Sequence, residues 1–377
     1  MNTCGNYRTN FINTEMEYKS FTPSFINKPF DWSDKEITLM LEQAMLYIGE
    51  LNAYSTLVPD VDFFIKMHII KEATTSSKIE GTKTDIDDVV MPKSEVNPEK
   101  RDDWTEVHNY IKSMNHAISE LSNLPLSIRL LKETHKILLS GVRGEHKYPG
   151  DIRTSQNWIG GSGPKDAFFV PPHFDEVPAL LSDLESFWHN KSLGIPNLIK
   201  AAISHYQFET IHPFCDGNGR IGRLLITLQL VELGILQKPS LYLSAFFEKH
   251  KGSYYDSLTM VRSSGSMEQW LKFFLSGLID TSKNGKETLQ AIVNLRKIYD
   301  DKMLGFGKRV KLARELLLHL FTVPVMTINN IASYLKVTYV TALRLVADFQ
   351  DAEILKETTG LSKNRIFVLE DYLNLFK

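Results

Sequence analysis

Cysteine is nearly absent from this sequence, since Cys4 and Cys215 are the only two among 377 residues. A fold held together by disulfide bonds is therefore excluded. Apolar runs stay below the roughly 18 residues that a membrane-spanning helix needs. Residues 1–18 also lack the apolar segment of a signal peptide. We therefore expect a soluble, cytoplasmic protein with no membrane partner.

An excess of one charge is also missing. The chain has 43 basic and 45 acidic side chains and a formal net charge of −2. This balance argues against a surface built as a whole for nucleic acid. The hydrophobic fraction of 43% suffices for a folded core, and the length predicts two or three domains. Because composition indicates no chemistry, function must be sought in local motifs.

Helical periodicity is present over most of the chain. Apolar residues recur with the spacing of one helix face, and Pro125 separates two predicted helices because proline cannot continue a helix. The helices predicted in the first part of the chain comprise residues 34–57, 61–80, 107–121, 128–139, 174–189 and 198–208. The predicted fold class is therefore mainly α.

Residues 141–172 differ from this helical pattern. Glycine and proline are frequent there, and short β-prone pieces lie around Trp158 and at residues 168–170. Two short strands joined by residues 160–164 would form a small β-hairpin flap. A plain surface loop is the alternative, but long irregular segments inside compact domains often carry function.

The C-terminal residues 308–377 are predicted to form a separate unit. Helices are expected at 310–321, 328–335 and 340–350, and Thr327 and Thr338 are suitable N-caps for the last two. Residues 354–355 and 366–369, on either side of a polar turn, predict a β-wing. This order of elements is typical of a winged helix-turn-helix domain.

A glycine-rich loop beginning at residue 212 lies between two predicted apolar helices. Gly217 and Gly219 permit positive φ and the close approach of a ligand. The loop leads into a helix N-terminus, where free N–H groups and the helix dipole favour an anion. Arg220 and Arg223 lie on neighbouring sides of the first turn, so their guanidinium groups favour a di- or triphosphate.

Two further side chains of the loop suit this chemistry. Asp216 offers a hard oxygen ligand for Mg²⁺ that bridges phosphates. His212 can act as a general base near neutral pH. Each feature alone has an ordinary structural explanation, such as a turn or a surface ion pair. Their combination within one short loop favours a nucleotide site.

The run from His212 to Arg223 resembles the motif of Fic-domain proteins, His-x-Phe-x-(Asp/Glu)-Gly-Asn-(Gly/Lys)-Arg-x-x-Arg. It matches that motif at every fixed position. Further similarity lies in the flap borders at residues 149–153 and 169–172 and in a tyrosine pair at 254–255. The resemblance implies a Fic-type helical core with a small β-hairpin flap, to which the C-terminal winged helix is appended.

The same resemblance implies protein adenylylation, the transfer of AMP from ATP to a Ser, Thr or Tyr hydroxyl of a target protein and of the enzyme itself. His212 would accept the hydroxyl proton, Asp216 would hold Mg²⁺ on the phosphates, and Phe214 would be a structural wedge. Arg220 would contact the β-phosphate and Arg223 the γ-phosphate. The other residues expected at the nucleotide are Gly217, Asn218 and Gly219 of the loop, Ile159, Gly160 and Gly161 of the flap, and Tyr254 at the adenine. The target protein would lie along the flap by strand addition.

Ser76, Glu80 and Gly81 lie at the end of the helix predicted at 61–80. Ser76 and Glu80 are four residues apart and therefore share one helix face, and Gly81 suits the position after a helix. An ordinary capped helix would explain these residues. Together with the Fic-like loop, they resemble the family's inhibitory motif, (Ser/Thr)-x-x-x-Glu-(Gly/Asn). This resemblance implies that Glu80 pairs with Arg223 and hinders the γ-phosphate, or that Glu80 positions a water for the removal of AMP.

The C-terminal unit has no net charge, since residues 325–377 contain six basic and six acidic side chains. This is a poor basis for contacts with DNA phosphates. The candidate DNA contacts are Thr338, Tyr339, Thr341 and Arg344 in the second helix of the motif, with Lys363 and Arg365 in the wing. A role in protein interaction or in forming a homodimer is at least equally expected.

We therefore expect four regions in the chain. Residues 1–100 form an N-terminal helical region with the inhibitory helix, 101–285 the Fic core, 286–307 a connecting helix or linker, and 308–377 the winged helix-turn-helix. The leading hypothesis is an autoinhibited, ATP- and Mg²⁺-dependent protein adenylyltransferase. The alternatives are a Fic enzyme with another phosphate-bearing donor or with de-AMPylating activity, and a nucleotide-sensing DNA-binding regulator.

Overall fold

The computed structural model describes residues 4–29, 32, 34–57, 61–361 and 364–377. These residues are mainly helical, as expected, and their strands form small antiparallel sheets. In the order of the chain, the α-helices are α1 (Lys35–Leu57), α2 (Asp62–Ile79), α3 (Ile86–Val90), α4 (Arg101–Glu120), α5 (Ile128–Leu138), α6 (Val177–His189), α7 (Asn197–Ile211), α8 (Asn218–Glu232), α9 (Ser244–Lys249), α10 (Lys251–Ser264), α11 (Glu268–Met303), α12 (Val310–Leu320), α13 (Ile328–Leu335), α14 (Tyr339–Asp351) and α15 (Glu370–Asn374). The strands are β1 (Gly5–Asn10), β2 (Tyr18–Pro23), β3 (Val325–Thr327), β4 (Lys356–Glu357) and β5 (Ile366–Val368). In the described part of the chain, no helix combines the length and the apolarity required to cross a bilayer.

Helices α7 and α8 lie at the centre of the helical core. Both are buried along most of their length, and an apolar helix surrounded on all sides is stable only inside a protein. α7 packs against α6, α8 and α11, while α8 also contacts α2, α4 and α5. The loop that joins α7 to α8 is therefore held at both ends by the best-packed part of the molecule.

The 36-residue helix α11 continues from the core toward the C-terminal unit. Its buried residues follow helical spacing without interruption past Gly285, where the missing side chain leaves room for Leu51 of α1. The division that we predicted between residues 285 and 286 therefore falls inside one continuous helix. Because the periodicity does not break there, α11 belongs structurally to both regions.

The first strands add a β-hairpin to the N-terminal region, for which only helices were predicted. Residues of β1 and β2 pair in an antiparallel hairpin from Gly5–Pro23 to Asn10–Tyr18. The N–H of Phe21 also donates to the carbonyl of Val170 at 2.9 Å, which joins β2 to the flap. The buried side chain of Phe21 explains why this segment folds, since a two-stranded hairpin alone is marginally stable in water.

The C-terminal unit contains the elements expected from the sequence and two that were not predicted, strand β3 and helix α15. Thr327 accepts a hydrogen bond from the N–H of Asn330 and Thr338 from that of Thr341, so both act as the predicted N-caps. The short strand β3 joins the two wing strands in the order β3-β5-β4. Lys363 lies outside the described residues. The assignment of this unit to the winged-helix class remains a prediction.

This C-terminal unit packs directly against α2, the helix that leads to Glu80. Phe63 stacks with Phe321 at 6.4 Å between ring centroids, and the hydroxyl of Tyr372 donates to the carbonyl oxygen of Phe63 at 3.3 Å. Phe376 packs near Phe64 one residue further along α2. The N-terminal half of the predicted inhibitory helix is thus anchored by the end of the chain.

Candidate nucleotide site

The loop between α7 and α8 is closed on itself by one side chain. The amide of Asn218 accepts from the N–H of Phe214 and donates to its carbonyl oxygen, both at 2.8 Å. Gly217 has φ of +74°, which glycine adopts without strain. These two hydrogen bonds occupy the side chain of Asn218 and close the loop. Only the backbone N–H of Asn218 is therefore left for a phosphate.

His212 lies where α7 ends and takes a left-handed backbone conformation, with φ of +49°. Its Nδ1 lies 3.3 Å from the carbonyl oxygen of Glu209, which can only accept a hydrogen bond. This places the proton on Nδ1 and leaves the lone pair of Nε2 free. Burial lowers the pKa of His212 to about 4, so the imidazole is neutral at pH 7 and can accept a proton.

Arg153 holds the backbone of His212 in place through hydrogen bonds. It is 3% exposed, and its guanidinium donates to the carbonyl oxygens of His212 at 2.9 Å and Pro172 at 2.6 Å. Asn157 also donates to the carbonyl oxygen of His212, at 3.1 Å. In the sequence, Arg153 is recognisable only as part of the flap border. Its partner lies 59 residues away, so periodicity offered no signal for this contact.

We predict that Arg153→Met destabilises the protein. The substitution removes the guanidinium hydrogen bonds to the carbonyl oxygens of His212 and Pro172 and leaves each with a weaker set of donors, and an unsatisfied buried oxygen costs about 1–3 kcal/mol. Thermal unfolding should therefore begin several degrees lower than in the wild type. The control is Arg129→Met, which removes an arginine that is 70% exposed. Equal unfolding temperatures for the two variants would contradict the bracing role.

His135 holds the other end of the loop and was not identified from the sequence. Its ring stacks on Phe214 with 3.9 Å between centroids. Nδ1 accepts from the N–H of Gly150 at 2.8 Å, so Nε2 carries the proton and donates to the carbonyl of Asp216 at 2.9 Å. Burial lowers the pKa of His135 to about 4, and the neutral ring is the form that both bonds require.

The Asp216 carboxylate is partly exposed, and its Oδ1 accepts a hydrogen bond from the N–H of Gly217 at 2.5 Å. Its side chain is 40% exposed, and its Oδ1 lies 3.7 Å from Nη2 of Arg220. In the described chain, no cluster of three or more His, Cys, Asp or Glu side chains could hold a metal ion by itself. Mg²⁺ commonly binds through one or two carboxylates together with substrate phosphates. Asp216 therefore fits a metal that is shared with a bound nucleotide.

The second arginine of the loop, Arg223, is enclosed by the end of α2. Its Nε donates to Oγ of Ser76 at 2.7 Å, and its Nη2 donates to the carbonyl oxygen of Ser76 at 2.9 Å. Nη2 also donates to Oε1 of Glu80 at 2.6 Å. Gly81 follows with φ of +104°, in the position after the helix that the sequence predicted. The structure thus brings together the two motifs, which are more than 140 residues apart.

Glu80 lies above the first turn of α8. A Cβ atom placed on Gly219 would lie 2.2 Å from Oε1 of Glu80, so only glycine leaves room for this carboxylate. Burial raises the pKa of Glu80, but the charge and hydrogen bond of Arg223 lower it further, and the net shift is downward. Glu80 is therefore ionised at pH 7 and places a negative charge where the helix N-terminus favours an anion.

The first arginine of the loop, Arg220, has buried donors that are unused. Its side chain is 5% exposed, and its Nε and Nη1 have no hydrogen-bond partner in the described residues. The nearest carboxylate oxygen belongs to Glu106 of α4, at 3.5 Å from Nη1. The hydroxyl of Tyr110 donates to the carbonyl of Arg220 at 2.8 Å and fixes the backbone. Glu106 and Tyr110 were not identified from the sequence.

The flap is built as the sequence predicted, although its pairing is short. Ile159 and Phe169 form an antiparallel bridge with two backbone hydrogen bonds. Gly160 and Gly161 have φ near +70°, and a side chain on Gly161 would collide with the backbone of Asp166. The flap meets the loop through Asn157, which donates to the carbonyl oxygen of Phe214 at 3.0 Å.

The position of Tyr254 differs from the expectation. Tyr254 is 1% exposed, its hydroxyl bonds to Nε2 of His205 at 2.9 Å, and its ring stacks on Phe247. It therefore belongs to the core and does not line an open adenine pocket. Its neighbour Tyr255 is 38% exposed. Successive helix residues point about 100° apart, so the tyrosine pair in the sequence did not reveal which member is buried.

Two family models match the chain in the region just described. The model described as "Fic/DOC family N-terminal" matches residues 38–119, which contain Ser76 and Glu80. The model described as "Fic/DOC family" matches residues 125–230, which contain the flap and the loop from His212 to Arg223. The chain thus contains a Fic/DOC N-terminal region and a Fic domain.

Curated relatives are named as protein adenylyltransferases. The chain is 29% identical over 177 residues to protein adenylyltransferase Fic of Aedes aegypti, covering 44% of this chain and 32% of that protein. It is 25% identical over 197 residues to protein adenylyltransferase fic-1 of Caenorhabditis elegans, covering 52% and 34%. The matched region thus spans about a third of the length of these relatives.

Solved structures share the fold. A Fic family protein from Desulfovibrio desulfuricans G20 superposes with a TM-score of 0.58 at 20% identity, over 91% of this chain and 98% of that chain. Fic-1 of C. elegans superposes with a TM-score of 0.51 at 20% identity, over 67% of this chain and 74% of that chain.

Proposed function

We propose that the protein is an adenylyltransferase that moves AMP from ATP to a hydroxyl side chain of a target protein and that Glu80 holds it in an inhibited state. The names of the curated relatives support AMP transfer. The observation that carries the proposal is the ion pair of 2.6 Å between Glu80 and Arg223, at a helix N-terminus beside a neutral His212. The helix N-terminus and the neutral histidine suit the binding and transfer of a phosphate group, and the ion pair would restrain that reaction.

The reaction is a displacement at the α-phosphorus of ATP. The target hydroxyl forms a bond to the α-phosphorus and gives its proton to Nε2 of His212. The bond between the α-phosphorus and the bridging oxygen to the β-phosphate breaks, and pyrophosphate leaves with the electron pair. No oxidant or further reactant is needed. His212 suits the role of general base because its lone pair is free at neutral pH.

The remaining groups bind and orient the triphosphate. The N–H groups of Asn218 and Gly219 offer hydrogen bonds to phosphate oxygens at the start of α8, and Arg220 offers its unused donors to the β-phosphate. The N–H of Gly217 donates to Oδ1 of Asp216 at 2.5 Å and would serve a phosphate only after Asp216 turns away. Arg223 serves the γ-phosphate only after Glu80 has left it. Asp216 is the proposed ligand for Mg²⁺, which when bound neutralises charge on the phosphates.

Target and adenine recognition involve the flap and α10. An extended target segment would pair with the free edge of the flap near Ile159, which brings its hydroxyl toward His212. Tyr255, rather than the buried Tyr254, is the tyrosine available to the adenine. A Fic enzyme that uses another phosphate-bearing donor, or that removes AMP through a water held by Glu80, remains the alternative within this fold.

Labelled ATP tests the proposal. The Glu80→Gly variant is incubated with a cell lysate and with ATP labelled at either the α- or the γ-phosphate. Protein labelling from α-labelled ATP alone is expected, since AMP transfer retains only the α-phosphate. Labelling from γ-labelled ATP would indicate phosphoryl transfer. Labelling from neither, combined with labelling from α-labelled UTP, would support another donor.

We also predict that the rate of AMP transfer falls only at an unusually acidic pH. The base form of His212 dominates above its pKa, which burial lowers to about 4 from an ordinary value of 6.5. As the pH falls, the rate of the Glu80→Gly variant should therefore persist below pH 6.5 and decline as the pH approaches 4. Initial rates between these limits, with circular dichroism at each pH to verify folding, check this prediction. A midpoint near 6.5 would contradict it.

A further inference from the structure

Beside the two arginines of the Fic-like loop lies a third that the motif does not contain. Arg143 belongs to the segment that follows α5, and its Nε lies 3.6 Å from Oε1 of Glu106. The other carboxylate oxygen of Glu106 lies 3.5 Å from Nη1 of Arg220. A single carboxylate, itself 6% exposed, therefore stands between two guanidinium groups.

The segment that carries Arg143 also lies against the proposed metal ligand. A Cβ atom placed on Gly144, the next residue, would lie 3.3 Å from Oδ2 of Asp216. Arg143, Glu106, Arg220 and Asp216 therefore form one cluster of charges at the start of α8. The two arginines and the two carboxylates give the cluster a formal net charge of zero before Mg²⁺ and the phosphates bind.

Arg143 has unused donors, as Arg220 does. Its side chain is 72% exposed, and it makes no hydrogen bond to any residue that the structure describes. An exposed ion pair at this distance adds little to folding stability. Arg220 next to it is buried with two unpartnered nitrogen atoms. Buried guanidinium donors without partners point to a ligand with several acceptor oxygens, and phosphate is such a ligand.

We propose that Arg143 is a third phosphate-binding arginine, which contacts the β-phosphate of the nucleotide together with Arg220, and that Glu106 is the positioning residue for both. This inference rests on the proposed nucleotide site and extends it to the pyrophosphate end. The α-phosphate is excluded as its partner because that group belongs to the N-terminus of α8 and His212. Arg143 therefore distinguishes nucleotides that have a β-phosphate from those that lack one.

Calorimetric titration of the full chain with ADP and with AMP, both in excess Mg²⁺, tests this assignment. For Arg143→Ala we expect the affinity for ADP to fall roughly tenfold, the effect of losing one hydrogen bond to a charged group. The affinity for AMP should not change. Arg143→Lys should lie between the wild type and the alanine variant. Arg129→Ala, which removes a similarly exposed arginine remote from the cluster, should leave both affinities unchanged.

Glu106→Gln tests the positioning role separately. It retains the shape of the side chain but removes the charge that holds Arg143 and Arg220 side by side. We expect a loss of ADP affinity with AMP affinity retained, and the ratio of the two is unaffected by a general loss of stability. Thermal unfolding of the same samples records that stability. A lower unfolding temperature with an unchanged ratio would overturn the positioning role.

The failure of this inference can be told apart from the failure of the proposed function. Equal losses of AMP and ADP affinity in Arg143→Ala, or no loss of either, would overturn the role of Arg143 in binding the β-phosphate, even if the protein transfers AMP. Conversely, a selective loss of ADP affinity would support the inference even if the Glu80→Gly variant labels no protein. Binding and transfer are measured in separate experiments for this reason.

Discussion

Replacing Glu80 by glycine should raise the rate of AMP transfer by roughly ten- to a hundredfold. The carboxylate occupies the space above Gly219 and accepts from Nη2 of Arg223 at 2.6 Å. Its removal frees a donor for the γ-phosphate and removes a negative charge that repels it. A hydrogen bond between charged groups contributes about 1.5–3 kcal/mol, which corresponds to this range of rates. Incorporation of label from α-labelled ATP, measured as an initial rate, checks the prediction.

The same substitution should lower stability while it raises activity. Arg223 is 3% exposed, and the substitution removes the carboxylate with which it forms an ion pair at 2.6 Å. Thermal unfolding of Glu80→Gly should therefore begin at a lower temperature than that of the wild type, and ATP should restore part of the difference because it binds the folded state. A variant that gained activity and stability together would contradict this account of the ion pair.

A matched control exists in the C-terminal unit. Glu353 is an exposed glutamate just past the end of α14, as Glu80 is just past the end of α2, and its φ of +52° is one that glycine adopts readily. Glu353→Gly should change neither the rate of transfer nor the response to ATP. If Glu80→Gly and Glu353→Gly incorporated equal amounts of AMP, the inhibitory role of Glu80 would be wrong.

Local features of the fold could be predicted from the sequence. Helix α13 has the bounds that its periodicity predicted, and Thr327 and Thr338 form the expected caps. These features depend on neighbours within a few residues, so the sequence pattern contains most of the information. The pairing of Glu80 with Arg223 was expected through resemblance to a family motif, because no local pattern joins residues 143 positions apart.

The supports of the loop could not be predicted in this way. Arg153 and His135 act on backbone carbonyls, which every residue has, so no complementary residue type in the sequence marks the contact. Their partners also lie 59 and 81 residues away. Phe21 and Val170 are an extreme case, since a hairpin at the N-terminus completes the flap near the middle of the chain. Such contacts arise from tertiary packing.

Under the proposed function, the two arginines of the motif explain how the resting protein would bind a nucleotide without reacting. Nε and Nη2 of Arg223 donate to Ser76 and Glu80, whereas Nε and Nη1 of Arg220 have no hydrogen-bond partner among the described residues. A nucleotide that enters can therefore use Arg220 and the start of α8 first. The γ-phosphate remains without its arginine until Glu80 moves. Because α2 is anchored at its other end by Phe321 and Tyr372, movement of Glu80 requires the end of this helix to change locally.

The loss of His212 should have the opposite effect to the loss of Glu80. In the Glu80→Gly background, His212→Asn should reduce AMP transfer by at least a hundredfold, the usual contribution of a general base. Asparagine is preferred to alanine because the backbone at this position has φ of +49°, which asparagine tolerates better. Nucleotide affinity should be retained, since the N–H groups of α8 and both arginines remain. Initial rates and ADP titration of the same preparation measure the two quantities.

The control for this substitution is His146→Asn, which removes an exposed histidine in the segment between α5 and the flap. It should leave transfer unchanged in the same Glu80→Gly background. A His212→Asn protein that retained both ADP binding and full transfer would require another proton acceptor. Glu209 is a carboxyl candidate, because it lies one turn before His212 in the chain and burial raises its pKa to about 7. In that case the acid limb of the pH profile should move from about 4 toward 7, so the rate and the pH dependence together identify the base.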